Sequence, residues 1–203
     1  MEVKQKIVER ASALFSRNGI KSITMSDIAT ETGISKRTLY ETFRNKDELL
    51  EQCILAHTEY GDAEVDKLVE SDTDVIHALM KFHSMQLSDM WSVGRSVVRD
   101  LKKYHNDIYK HVEERQKEKI FRFIPLLEKG VKQGLLRDDI PFEILLWLLR
   151  RQFKTLMEDE TIPMERYPLI DFVHAMTLSF IRGIATPLGI EKIDKIIRDY
   201  RQV

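Results

Sequence analysis

The stretch ETGISKRTLYETF, from Glu31 to Phe43, contains a break and a restart of helical structure. Gly33 favours the end of one helix, because glycine adopts positive φ angles at little steric cost. Ser35 predicts the start of another, because a serine hydroxyl can accept a hydrogen bond from the free N–H groups of a first helical turn. Two helices joined by a turn of about three residues are therefore predicted.

The second of these helices presents polar side chains on one side. Leu39 and Phe43 lie four residues apart on one face, whereas Arg37 and Tyr40 point roughly the opposite way. An isolated helix shorter than about 12 residues is marginal in water, so its neighbours must hold it in place. A glycine turn before a short exposed helix with cations and hydroxyls is typical of a helix-turn-helix, whose second helix enters the DNA major groove.

Capping signals mark the start of the first helix of this pair, and one further helix is predicted on each side of the pair. Thr24 and Asp27 predict a capping box at the start of the helix that ends before Gly33. Asn45 and Glu48 predict a similar cap on a long helix that links to the rest of the chain. The helix that begins the chain is predicted to end at Asn18-Gly19, and its apolar stripe consists of Ile7, Val8, Ala11, Leu14 and Phe15.

Composition predicts an all-α protein with a local positive surface. The chain has 203 residues, of which 43% are hydrophobic, so a sizeable core can be buried. Few glycines and prolines, and no alternating Val/Ile/Thr runs, favour helices over strands. The net charge is −1, yet residues 17–46 carry six basic and three acidic residues, a net of +3. The positive charge therefore belongs to the helix-turn-helix segment, which favours an anionic partner there.

The chain offers no signal for a membrane, a disulfide or a metal. Its first ten residues are charged and amphipathic, and no later window approaches eighteen uncharged apolar residues, so we expect a cytoplasmic protein. Cys53 is the single cysteine and is expected in the core, with a reactive nucleophile as the less favoured alternative. No Cys/His cluster has zinc spacing, and no cofactor is predicted.

The runs IVERASALFSRNGIKS (residues 7–22) and ITMSDIATETGISKRTLYETFRNKDELL (residues 23–50) resemble the DNA-binding domain of the TetR family of bacterial transcriptional regulators. The resemblance implies a helix-turn-helix domain at residues 1–46 and a helical ligand-binding and dimerisation domain at residues 47–203. It also implies a regulator, expected to be a repressor, that binds a palindromic DNA operator as a homodimer and is released by a small effector. The matching positions are Ala11, Leu14, Phe15, Gly19, Ile28, Ala29, Gly33, Ser35, Leu39, Tyr40, Phe43, Lys46 and Leu49.

The resemblance also implies which residues contact DNA. Lys46 and the backbone N–H groups at Thr24 and Ser35 suit phosphate oxygens, because helix N-termini carry unpaired donors and a partial positive charge. The hydroxyls of Thr24 and Tyr40 can donate to phosphates as well. The residues at DNA-contacting positions of the family are Thr24, Ser35, Lys36, Arg37, Thr38, Tyr40, Thr42 and Lys46.

Arg37 is the strongest candidate for reading a base, because an arginine can contact guanine O6 and N7 together. Lys36 can make a looser base contact or reach a phosphate. Glu41 has two interpretations that the sequence leaves open. It could accept a hydrogen bond from cytosine N4, or it could be solvated or paired with Arg37 or Arg44.

Five helical segments are predicted after the linking helix, with breaks near residues 71–72, 104–106, 134–141, 159–168 and 186–189. The segments at 141–157 and 167–186 carry more apolar residues than one buried stripe needs. We expect them to form the homodimer interface, with packing in the core of one chain as the simpler alternative.

A pocket for a small apolar or aromatic effector is expected in the second domain, because such pockets are lined mainly by apolar side chains. Each lining candidate could equally be an ordinary core residue. His83 and Arg95 are possible polar anchors. The candidates are Phe82, Met85, Trp91, Tyr104, Phe123, Trp147, Phe153 and Met157.

Two other classes of function are less favoured by the sequence. An enzyme is not expected, because the sequence contains no Gly-x-Ser-x-Gly, His-Glu-x-x-His or phosphate-binding glycine loop. The alternative that keeps DNA binding is a structural or nucleoid-associated factor without an effector. Specific binding to a few sites would distinguish a regulator from such a factor.

Overall fold

A computed structural model describes residues 2–71, 73–89 and 94–200, and these residues form eleven helices. The fold is all-α, as predicted, with an isolated backbone bridge between Leu136 and Ala185. The helices are α1 (Glu2–Asn18), α2 (Met25–Thr32), α3 (Lys36–Thr42), α4 (Lys46–Glu70), α5 (Val75–Asp89), α6 (Arg95–Tyr104), α7 (Asn106–Phe121), α8 (Ile124–Lys132), α9 (Phe142–Glu158), α10 (Leu169–Ile184) and α11 (Pro187–Tyr200).

The chain forms two compact units. Unit 1 comprises Met1–Asp62 and Met90–Arg115, and unit 2 comprises Ala63–Asp89 and Gln116–Val203. These packing units differ from the predicted domains 1–46 and 47–203, since α6 belongs to the same unit as the helix-turn-helix. The assignment of DNA binding and ligand binding to the two predicted domains stays a prediction.

The core of unit 1 holds α1, α2 and α3 together. Phe15 of α1 is 3% exposed and Leu39 of α3 is fully buried, which confirms that both helices bury their apolar faces. Val97 and Leu101 of α6 join the same cluster. A short helix such as α3 is therefore stabilised by its neighbours rather than by its own propensity.

A hydrogen bond to a buried carboxylate joins α6 to the loop between α1 and α2. Asp100 is 7% exposed and accepts a hydrogen bond of 2.8 Å from the backbone N–H of Lys21. Gly19 ends α1 with φ +78°, and a Cβ at this position would lie 3.1 Å from the Asp100 carboxylate. The sequence did not predict this contact, which joins residues 79 positions apart.

Unit 2 has its own apolar core, formed mainly by α5, α8, α10 and α11. Phe123 belongs to this core, and Phe82 packs against it together with the apolar sides of α7 and α9. The largest side chains of this unit that are almost fully buried are Ile76, Leu126, Leu127, Leu136 and Ile181.

The structure corrects the predicted number of helices after α4, which is seven rather than five among the described residues. The segment expected before residue 104 is divided into α5 and α6, and Gly94 is the N-cap of α6. The next segment is divided into α7 and α8, and Pro125 lies in the first turn of α8. Proline favours a first turn because it has no N–H to donate to a preceding carbonyl.

Candidate DNA-binding surface

Local hydrogen bonds fix the start of α2 and the start of α3, on either side of the glycine at which α2 ends. The Thr24 hydroxyl accepts from the Asp27 N–H at 3.3 Å and the Asp27 carboxylate accepts from the Thr24 N–H at 2.8 Å, which confirms the capping box. α2 ends at Gly33, whose φ is +69°, as predicted. Ser35 accepts from the Thr38 N–H at 3.0 Å and thereby starts α3. The direction of α3 is therefore set by local hydrogen bonds.

α3 buries one narrow face and exposes the other. Leu39 and the adjacent Phe43 are buried, whereas Lys36 and Arg37 are exposed and Tyr40 is 52% exposed. This division matches the arrangement predicted for α3 as the second helix of the helix-turn-helix. The exposed face therefore carries two cations and a phenol on a rigid support.

The exposed cations of α3 and its C-terminal end have acidic neighbours. Arg37 Nε donates to Glu41 Oε1 at 2.8 Å, and Arg44 pairs in the same way with Glu48 at 3.2 Å. Glu41 thus forms the ion pair that was one of its two interpretations. Surface ion pairs contribute little to stability, because water solvates both partners well. Arg37 can therefore exchange Glu41 for a guanine edge at small cost.

The hydroxyls at the predicted contact positions have local partners. Thr24 donates to Asp27 at 2.7 Å, Ser35 and Thr38 share a hydrogen bond of 2.8 Å, and Thr42 donates to the Thr38 carbonyl at 2.8 Å. The hydrogen bonds from Thr24 hold the pKa of Asp27 below its usual value. To donate to phosphate, Thr24 and Thr42 would have to leave these acceptors, whereas one hydroxyl of the Ser35–Thr38 pair keeps its proton. The role of these hydroxyls in DNA binding stays a prediction.

Lys46 has a structural role that the sequence did not indicate. Its ammonium group donates to the backbone carbonyls of Ile20 and Ile23, in the loop between α1 and α2. The group is half-buried, and burial lowers the pKa of Lys46. An ammonium has three donors, so one remains for a phosphate oxygen.

Two of the predicted ligand-binding residues meet in unit 2. The rings of Phe82 and Phe123 lie 4.5 Å apart between centroids. They border an apolar cavity of about 20 Å³, which is enough for roughly one water molecule. The remaining lining residues are Leu79, Ile120, Leu127, Leu146, Leu149, Thr177, Phe180 and Ile181.

The other ligand-binding candidates are placed differently. Tyr104 is 45% exposed and lies in unit 1, and Trp147 is 53% exposed on α9. Neither residue lines the cavity beside Phe82. Met157 is buried, while Met85 and Phe153 are half-buried. Trp91 lies outside the described residues. A role for any of them in binding an effector stays a prediction.

A pair formed by the buried His83 and the exposed His174 connects α5 with α10. His83 is 4% exposed, and its Nε2 lies 2.9 Å from Nδ1 of His174. Burial lowers the pKa of His83, and the neighbouring His174 lowers it further. His83 Nδ1 has no hydrogen-bond partner within the part of the chain that the structure describes. The sequence indicated His83 as a possible polar anchor, but nothing in it indicated His174 as the partner.

An apolar stripe is exposed on α9 of the single chain. Ile144, Trp147 and Leu148 are 58%, 53% and 44% exposed, and their spacing places them on one face of the helix. The Arg151 guanidinium lies 5.7 Å from the centroid of the Trp147 ring. Contiguous apolar surface of this kind marks interaction sites in many proteins.

The described residues also bear on metal, nucleophile and membrane sites. Within residues 2–71, 73–89 and 94–200, no group of three or more His, Cys, Asp or Glu side chains could hold a metal ion. Cys53 is buried, and burial raises the pKa of its thiol to about 11. None of the described helices has the length and apolarity needed to cross a membrane.

Comparison with known proteins finds bacterial transcriptional regulators. A sequence model of the family described as "Bacterial regulatory proteins, tetR family" matches residues 7–53. The chain is 30% identical over 143 residues to the HTH-type transcriptional regulator YvaF of Bacillus subtilis, covering 68% of this chain and 72% of the relative. It is 22% identical over 151 residues to the HTH-type transcriptional repressor KstR2 of Mycolicibacterium smegmatis, covering 72% and 74%.

A solved structure shares the fold over most of both chains. The TetR-family transcriptional regulator from Agrobacterium tumefaciens superposes with a TM-score of 0.73 at 15% identity. The superposition covers 91% of this chain and 98% of the other. At this identity the match supports the fold alone.

Proposed function

Since the chain belongs to the TetR family of bacterial transcriptional regulators, we propose that it is a repressor that binds a near-palindromic operator as a homodimer and releases it on binding a small, largely apolar effector. The family membership carries the assignment to transcriptional regulation, and YvaF and KstR2 are named as a transcriptional regulator and a transcriptional repressor. Repression is supported by the relative that is named as a transcriptional repressor.

The exposed face of α3 is the observation that supports DNA reading most directly. Lys36, Arg37 and Tyr40 are exposed on a helix whose opposite face, at Leu39, is fully buried. A helix anchored in this way can enter the major groove without being remodelled. Arg37 reads a base, and Lys46 together with the start of α3 fixes the register on the phosphates.

Selection of DNA from a random pool by the purified protein tests this function. The expected product is an inverted repeat, because two subunits related by a two-fold axis present two recognition helices. The half-site centres are expected roughly 34–36 Å apart along the duplex, or a multiple of that distance. Recovery of no preferred sequence would instead favour a nucleoid-associated factor.

Dimerisation through residues 141–157 and 167–186 is supported by the exposed apolar stripe on α9. Ile144, Trp147 and Leu148 would be removed from water in an interface, and burial of apolar surface is favourable by about 25 cal/mol per Å². An interface related by two-fold symmetry uses the same surface on both subunits. Such a surface on one helix suits packing against its own copy.

The effector is expected in unit 2, where Phe82 and Phe123 border an apolar cavity. The cavity of about 20 Å³ has to enlarge to admit a molecule larger than water. A ligand can change DNA affinity only through its different affinities for the two conformations, typically by about 1–3 kcal/mol.

A screen of small apolar and aromatic molecules tests the effector. Compounds that raise the melting temperature are then added to operator-binding assays. A stabilising ligand is expected to weaken operator binding. If ligands that bind tightly leave the operator affinity unchanged, the effector mechanism fails and the DNA-binding assignment stands.

A further inference from the structure

A second group of cations lies in unit 1, away from α3 in sequence. Lys21 comes from the loop before α2, and Lys103 and Tyr104 come from the last turn of α6. The ammonium groups of Lys21 and Lys103 lie 5.1 Å and 5.4 Å from the centroid of the Tyr104 ring. All three side chains are exposed. We refer to Lys21, Lys103 and Tyr104 as the basic corner.

The basic corner is fixed beside the start of α4. Lys46 binds the carbonyls of Ile20 and Ile23, which lie on either side of Lys21 in the loop. On the other side, His105, next to Tyr104, pairs with Asp47 at 3.2 Å, and Asp47 is next to Lys46. The basic corner is therefore continuous with the phosphate-contacting position proposed for Lys46.

The charges of the basic corner lack a counterion. Lys21 and Lys103 form no ion pair with a carboxylate among the described side chains. Two carboxylates of the adjoining residues are already engaged: Asp100 accepts from the Lys21 backbone and Asp47 pairs with His105. Two ammonium groups around one ring repel each other, and an anion with several oxygens would relieve that repulsion.

The phenol of Tyr104 responds to the same positive field. The hydrogen bond from Lys21 and the charges of both lysines hold the pKa of Tyr104 below its ordinary value. Phenol hydroxyls and lysine ammonium groups are among the groups that commonly donate to DNA phosphates. The corner thus combines two charges and a neutral donor that suit phosphate oxygens.

We propose that the basic corner binds backbone phosphates of the DNA beside the half-site that α3 reads. The proposal rests on the proposed function, because it needs the DNA to lie against α3 and Lys46. DNA backbone is favoured over free phosphate because the corner is open and because it continues the surface of Lys46. A phosphate held only by exposed ammonium groups binds weakly on its own, whereas a duplex already docked at α3 presents its phosphates at high local concentration.

The double variant Lys21→Ala/Lys103→Ala tests this contact. Equilibrium binding to the selected operator and to a scrambled duplex is measured at several salt concentrations. The slope of log K against log salt should become shallower by about 3.6 for the dimer, which is about 0.9 for each of four phosphates, two at each half-site. At 0.1 M salt both duplexes should bind the dimer more weakly, on the order of 100- to 4,000-fold. The loss should be the same for both sequences, because phosphates carry no base information.

Three controls separate this contact from other effects. Lys21→Arg/Lys103→Arg keeps both charges and should retain the wild-type slope. Lys132→Ala/Lys195→Ala removes two exposed lysines from unit 2 and should change the slope little. Circular dichroism melting should show that all variants fold.

The outcomes distinguish the two proposals. An unchanged slope in Lys21→Ala/Lys103→Ala, or an equal change in the unit 2 control, would overturn the basic corner while the wild-type protein still prefers its operator. Failure of the wild-type protein to prefer any sequence would overturn the proposed function itself.

Discussion

Arg37 shows how one exposed side chain can remain available for DNA. Its partner Glu41 is on the same face one turn away, and both side chains are largely in water. The pair keeps the guanidinium extended along α3 without burying it. A guanine with two acceptors offers Arg37 a stronger partner than a solvated carboxylate, because the contact is bidentate and lies in a desolvated groove.

We expect Arg37→Ala to relax base preference. The operator should lose about 1–3 kcal/mol of discrimination against a site in which the contacted guanine is changed. Lys46→Ala should instead weaken binding to every sequence and make the salt slope shallower by about one for each subunit, or about two for the dimer. Binding to matched and scrambled duplexes at several salt concentrations measures both effects.

Arg44→Ala is the matched control for Arg37→Ala, because Arg44 is an exposed arginine that also pairs with a glutamate four residues on. It should reduce binding without changing the preferred base. Equal losses on operator and scrambled duplexes for Arg37→Ala would show that Arg37 contacts phosphate rather than a base.

The burial of His83 leads to a prediction about how folding stability depends on pH. Its folded pKa lies below the value of 6.5 expected for an exposed histidine, because burial and His174 disfavour its charged form. As the pH falls below about 6.5, the unfolded chain binds a proton that the folded chain resists. Folding stability should therefore fall on acidification from pH 7 to pH 5, and His83→Gln should reduce that loss.

Urea unfolding at pH 7 and at pH 5 measures the effect. His111→Gln is the control, because His111 is exposed on α7 and should leave the pH dependence unchanged. A pH dependence that is the same in the wild type and His83→Gln would show that other groups govern the acid response.

The residues predicted most reliably from the sequence are those whose partners are local. Thr24, Gly33 and Ser35 act within three or four residues of themselves, so their roles can be read from spacing. Lys46 bonds to carbonyls 23 and 26 residues away, and no side-chain pattern indicates a backbone partner. The hydrogen bond of Asp100 is even harder to predict from the sequence, because its partner lies 79 residues earlier.

At the scale of elements, the sequence predicted the breaks between helices where two helix-breaking residues lie close together. It missed the breaks that are marked by a single such residue. Pro125 in the first turn of α8 was such a single signal, as was Gly94 at the start of α6. A proline permits a helix to begin as readily as it forces one to end, so its position alone does not decide. The apolar periodicity on both sides continued across each break.

The close packing at the start of α11 leads to a prediction about the stability of the fold. Gly189 lies in its first turn, and a Cβ there would overlap the backbone carbonyl oxygen of Leu135. Backbone cannot rotate aside as a side chain can, and the Leu135 carbonyl also accepts from the Thr186 N–H at 3.0 Å. We expect Gly189→Ala to destabilise the protein by roughly 1–3 kcal/mol in urea unfolding.

Leu188→Ala is the matched control, because Leu188 is the neighbouring residue and is 52% exposed. It should change the free energy of unfolding little. If Gly189→Ala is as stable as the wild type, then α11 does not pack against Leu135 as closely as the structure places it.

For the whole molecule, the sequence could separate a helix-turn-helix from a helical remainder but could not sort aromatic residues by environment. Phe123 is buried in unit 2, Tyr104 is exposed in unit 1 and Trp147 is exposed on α9. All three lie in or beside amphipathic segments, where a core, a pocket and a subunit interface demand the same apolar side chain. The tertiary contacts that distinguish these environments are long-range.

The exposure of Trp147 on α9 therefore leads to a prediction about the proposed homodimer. Trp147→Glu places a charge in the stripe with Ile144 and Leu148 that is proposed to meet its copy, where an unpaired carboxylate cannot be solvated. Light scattering of the variant should give a monomer mass at micromolar concentration. The fold should persist, because Trp147 is half exposed in the single chain and contributes little to the core of unit 2.

Operator binding should weaken by 100-fold or more, on the order of the avidity that linking two half-site contacts provides. Tyr60→Glu is the control, because Tyr60 is 63% exposed on α4 and lies outside the proposed interface. It should remain a dimer with nearly unchanged operator affinity. A dimeric Trp147→Glu that binds the operator as the wild type does would place the subunit interface elsewhere, and the face of α3 would still be the surface that reads DNA.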